Sequence, residues 1–80
     1  MSTFNTEIGK QLRNKRKEKH LSAQVMADLL DCSKSTYTYY ERGITSIAID
    51  DLIKVCDYLG LNWVDVVYNA RRITEKETNI

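Results

Sequence analysis

Between Ser22 and Gly43 the chain has room for two short helices and a turn of about four residues, and that stretch constrains the fold most. Ser22 is a good N-cap for a helix over residues 23–30, in which Met26, Ala27 and Leu30 have the spacing of a buried stripe. Ser33 caps a second helix over residues 34–41, which Gly43 ends. Asp31 occupies a left-handed turn position, which Asp tolerates better than most residues. Two helices joined so tightly must cross steeply. Their contact needs a small residue, supplied by Ala27, and inward apolar groups from both helices and the turn. Met26, Leu30, Cys32, Tyr37 and Tyr40 fall at those places. The second helix then turns Lys34, Ser35, Thr38 and Tyr39 away from the core.

The rest of the chain reads as helices around this unit. One runs roughly over residues 6–19, with Ile8 and Leu12 on one face. Its basic run from Arg13 to His20 is either a solvated face or a binding one. A loop follows at residues 44–48. A fourth helix begins near Ile49 and is expected to bury Ile49, Leu52, Ile53, Cys56 and Leu59 before Gly60 stops it. Asn62 caps an apolar fifth helix carrying Trp63, Val64, Val66 and Val67, with Asp65 completing a capping-box pattern. From about Ala70 the chain turns polar and is expected to fray. Residues 1–69 thus form one domain and residues 70–80 a polar tail. Proline is absent, and the three glycines are expected where helices start or stop. The fold class is all-α, with five helices. Eighty residues build one small core.

Charge is uneven although its sum is only +1. Residues 1–43 hold eight Lys/Arg against five Asp/Glu, whereas residues 44–80 hold four against six. The first half carries the positive field. No apolar run is long enough to span a bilayer, and Met1-Ser2-Thr3-Phe4 lacks the regions of a signal peptide, so a cytoplasmic location is expected. Cys32 and Cys56 lie in apolar contexts and read as reduced packing residues. With the single His20 they are too few and too scattered for a zinc site, and no metal or cofactor is expected. No nucleophile–base pairing or carboxylate cluster suggests an enzyme.

Two helices at this angle, the second with a free polar face, make a helix-turn-helix, whose second helix fits the major groove of DNA. The stretch from Ile8 to Val67 resembles the phage-repressor/Cro-type (Xre) helix-turn-helix family. The matching marks are Ile8-Gly9, Leu12-Arg13 and Arg16, then Leu21-Ser22, Ala27 and Leu30. They continue with Ser33-Lys34-Ser35-Thr36, Tyr40-Glu41-Arg42-Gly43, and Leu52 through Leu59-Gly60. The resemblance implies a lambda-repressor-like fold and a transcriptional regulator, a dimeric repressor of double-stranded DNA. It implies base contacts from Lys34, Ser35 and Tyr39, with Thr38 close by. It implies phosphate contacts from Ser22, Ser33 and Arg42, to which Arg16, Gln24 and Thr45 are added as candidates. Arg16 and Glu41 match a pair tying the first helix to the end of the recognition helix. The chemistry agrees: Lys34 can donate to guanine, and the hydroxyls of Ser35 and Thr38 donate or accept.

The chain departs from the family pattern at several positions. Ala23 stands where Gln is frequent, and His20 and Asp31 stand where glycine is usual. The loop Ile44-Thr45-Ser46-Ile47 carries no charge where Lys or Arg is frequent, which implies fewer phosphate contacts and weaker salt dependence. Val25 and Leu29, one turn apart, are either extra packing or a protein-contact patch. Trp63, Val64, Val67 and Tyr68 are the dimer-interface candidates, with core packing as the other reading. The competing function is a protein-interaction module of the same fold, such as an antitoxin gripping its toxin.

Overall fold

The computed structural model describes residues 3–78, with side-chain surroundings described as far as Glu75. Five helices follow in order: α1 Phe4–Glu18, α2 Ala23–Leu29, α3 Lys34–Arg42, α4 Ile49–Leu59 and α5 Trp63–Thr78. There is no strand among the described residues.

The caps explain the boundaries. The Thr3 hydroxyl accepts from the Thr6 amide at 3.1 Å, so α1 begins earlier than its basic stretch suggests. Ser22 accepts from the Val25 amide at 3.2 Å and Ser33 from the Thr36 amide at 3.1 Å, as expected of both caps. Asn62 accepts from the Val64 amide at 2.9 Å and opens α5. α4 has no side-chain cap; Asp50 and Asp51 in its first turn offset the exposed amides through the helix dipole. Gly43 and Gly60 close α3 and α4 in the left-handed conformation. His20 and Asp31 adopt the same region, with φ of 59° and 55°.

The core joins all five helices. Ile8 and Leu12 of α1 meet Met26, Ala27 and Leu30, Tyr37 of α3, Leu52, Val55, Cys56 and Leu59 of α4, and Val66 and Ala70 of α5. Cys32 and Tyr40 are partly buried against it. α1 is the central element and packs chiefly on α3 and α5. Gln11 fastens it to α5 by donating to the Val66 carbonyl at 2.8 Å.

Two expectations need correction. Ile49 is 55 % exposed and Ile53 only half-buried outside the core, and Val55 fills the core instead. Ile49 has a suitable phase, but it is the first residue of α4, and a helical side chain leans toward the N-terminus. It therefore points off the end of the helix. The second correction concerns the end of the chain, which does not fray at Ala70. Ala70 is fully buried, and α5 runs on to Thr78. Beyond Ala70 the helix is supported locally. The Thr74 hydroxyl donates to the Ala70 carbonyl at 3.1 Å, and Arg71 pairs with Glu75 at 2.7 Å.

Candidate nucleic-acid interface

The site is built on how α3 is held. Gly9, in the interior of α1, faces the C-terminal end of α3. A Cβ there would lie 2.7 Å from the Tyr40 carbonyl oxygen and closer still to that of Glu41. Only glycine lets the two backbones meet this closely. At Gly43 a Cβ would lie 2.6 Å from the Thr6 backbone, and the residue has a φ of 74°. Two glycines thus seat the start of α1 on the end of α3. Gly9 lies inside α1 and not at a helix start or stop, where all three glycines are expected from the sequence. The available signal was its position: glycine inside a helical pattern costs about 1 kcal/mol against alanine and indicates a close approach.

A charged clamp lies beside this contact. Arg16 donates from Nε to Glu41 Oε2 at 2.7 Å and from Nη2 to Oε1 at 2.9 Å. Its Nη1 donates to the Leu21 carbonyl at 2.9 Å, which ties in the turn before α2. The two side chains are 12 % and 5 % exposed. Glu41 raises the Arg16 pKa further, by hydrogen bonding and charge, against the opposing effect of burial. Breaking such a buried pair by removing one partner costs about 3–5 kcal/mol, although its net worth against an apolar pair is small. Below it, Tyr37 is fully buried with its hydroxyl lacking a hydrogen-bond partner. Burial first, and then Glu41, push its pKa far up.

Held from behind, α3 presents its other face. Lys34, Ser35 and Tyr39 are exposed, Tyr39 by 44 %, and Thr38 is half-buried. The candidate base contacts therefore share one accessible side. The candidate phosphate contacts are placed less uniformly. Ser22, Gln24, Ser33, Arg42 and Thr45 are exposed. The Ser33 hydroxyl also meets Thr36 Oγ1 at 2.9 Å, and Gln24 donates to Asp28 at 2.9 Å along its own helix. Arg16 has its guanidinium turned into the clamp. The loop after Gly43 is held by Asn5, which donates to Ser46 at 2.7 Å. A groove between α1 and α3, overlooked in the sequence, brings Arg13 and Asn14 beside Thr38 and Arg42.

The other candidates separate into exposed and packed residues. Val64 and Tyr68 are 52 % and 63 % exposed, whereas Trp63 and Val67 rest on the core. Leu29 also packs on the core, which leaves Val25 as the exposed member of its pair. Both cysteines are free thiols. Burial pushes the Cys56 pKa up to about 11 and also raises that of Cys32.

Two short helices packed together across a tight turn, the second with an anchored back and an open polar face, define a helix-turn-helix domain, a DNA-binding class. The helix-turn-helix family model matches residues 12–66, and the chain belongs to that family, in its Xre-type form. Two solved structures of the clp gene regulator ClgR from Corynebacterium glutamicum are similar to it. One has a TM-score of 0.77 and 25 % identity, covering 89 % of this chain and 92 % of that chain. The other has a TM-score of 0.81 and 23 % identity, covering 98 % of this chain and 83 % of that chain, and bears on the fold alone. No curated protein sequence matches. No helix of the described residues is long and apolar enough to cross a membrane.

Proposed function

We propose that this chain is a sequence-specific transcriptional regulator, a cytoplasmic repressor that binds double-stranded DNA as a symmetric dimer and inserts α3 into the major groove. One observation carries the reading. Lys34, Ser35 and Tyr39 stand exposed on a helix whose opposite side is fixed by Tyr37 and the Arg16–Glu41 clamp. Lys34 reads guanine O6 or N7, Ser35 and Thr38 serve either sense of hydrogen bond, and Tyr39 offers a ring to a thymine methyl. Ser22, Ser33, Gln24, Arg42 and Thr45 hold the backbone and set the register. The similarity to a gene regulator, ClgR, supports the same reading.

In a two-fold dimer the paired α3 helices would enter successive major grooves about 34 Å apart. Val64 and Tyr68 supply the exposed apolar part of the contact, with Trp63 and Val67 supporting it from the core side.

The test is a titration of labelled DNA upstream of the gene with wild type and a Lys34→Ala/Tyr39→Ala variant. The variant should bind its best site at least about tenfold more weakly, since each good base contact is worth about 1–3 kcal/mol. Equal affinity would remove α3 as the reading element. In sizing experiments Tyr68→Glu should give a monomer, and a retained dimer would place the interface elsewhere.

A further inference from the structure

The uncharged loop after α3 leaves open where the positive charge for backbone binding comes from, and the groove between α1 and α3 answers it. Its volume is about 580 Å³. Arg13 and Asn14 line it from α1, Thr38 and Arg42 from α3, and the Arg16–Glu41 pair from within. Glu41 is the carboxylate in this lining, and Arg16 neutralises it at 2.7 Å. Arg13 and Arg42 are exposed and make no hydrogen bond or ion pair among the described residues. Lys10, also in the lining, is engaged by Glu7 at 3.1 Å.

We propose that Arg13 and Asn14 of α1, with Arg42 of α3, form a clamp for a DNA phosphodiester and replace the charge missing from residues 44–48. The proposal rests on the DNA-binding reading above. Three features favour a phosphodiester of the bound duplex as the occupant. Lys34, Thr38 and Arg42 recur at intervals of four, so they lie on one side of α3 and the groove continues the face that reads bases. Two guanidinium groups from different helices border one open space, and guanidinium forks match the oxygens of a phosphate. Asn14 adds a neutral amide donor beside them. The loop that would otherwise lie along the backbone holds neither Lys nor Arg.

The experiment measures duplex affinity of the full chain against salt concentration, on its best site and on an unrelated duplex. Removing one charged phosphate partner should make the slope of log K against log salt shallower by about 0.9. Arg13→Gln is expected to do so by about that amount on both duplexes alike, because a backbone contact carries no sequence information. Arg13→Lys should keep the wild-type slope, and Asn14→Ala should weaken binding without changing it. Lys54→Gln removes the same charge from α4, outside the groove, and should leave the slope unaltered. An Arg13→Gln slope equal to that of wild type or of Lys54→Gln overturns the clamp while leaving the DNA-binding reading intact. A wild-type chain that binds no duplex even at low salt overturns both.

Discussion

At the scale of single residues, polar groups behind α3 differ sharply in how well they are satisfied. Arg16 and Glu41 exchange two short hydrogen bonds, and a third goes to the Leu21 carbonyl. The Tyr37 hydroxyl, buried beside the same pair and felt by both of its charges, meets neither group in good hydrogen-bond geometry. A hydroxyl buried without a hydrogen bond costs about 1–3 kcal/mol, so its removal relieves more than it takes away. Tyr37→Phe is therefore expected to match wild type or exceed it by about 1 kcal/mol in urea denaturation. A clear loss of stability would show that the hydroxyl is bonded to the clamp after all. The clamp was legible in the sequence because its two residues match a known motif. The unpaired hydroxyl was not, because burial and partnership depend on where the other helices lie.

At the scale of elements, the connections carry strain that the helices do not. His20 and Asp31 hold positive φ at the two turns flanking α2, where glycine is the unstrained residue. Asp31→Gly should raise stability by about 1 kcal/mol in urea or thermal melts, since a left-handed conformation costs an ordinary L-residue about 1–2 kcal/mol. A lower melting temperature would mean that the Asp31 side chain supports the turn. The sequence located these turns correctly, because their caps and the absence of proline leave few alternatives. Ser22, Ser33, Asn62, Gly43 and Gly60 all act at the ends assigned to them. Helix lengths were less legible. The first turn of α1 depends on Thr3, and the last turns of α5 depend on Ala70 finding a place in the core, a tertiary fact that local polarity obscured.

At the scale of the whole molecule, five helices share one small core, and a titratable thiol lies inside it. The Cys56 pKa rises from 9.0 to about 11 through burial, and Cys32 and Tyr37 shift in the same direction. These groups favour the folded state while they remain protonated. For Cys56 this contribution is complete below the unfolded pKa and is lost as pH climbs from about 9 toward about 11. The urea midpoint should thus fall over that interval, and Cys56→Ala should flatten the fall even though its own midpoint is lower throughout. A midpoint constant up to pH of about 11 would contradict the burial argument. The groove between α1 and α3 also belongs to this scale. Arg13 and Arg42 are 29 positions apart by their numbering, and only the packing of α1 on α3 brings them together. Periodicity could mark Arg13 as basic but could not supply its neighbour.

The seat of α1 on α3 separates two kinds of position. At Gly9 and Gly43 backbone meets backbone, and a side chain has no place to go. At Lys34, Ser35 and Tyr39 the side chains are exposed and lie outside the core. If α3 reads DNA as proposed above, recognition is modular: the outward residues can be rewritten, by evolution or by grafting, while the scaffold that aims them is preserved. A lineage built on this chain would then drift toward new target sites through a handful of exposed substitutions, which cost little stability away from the core.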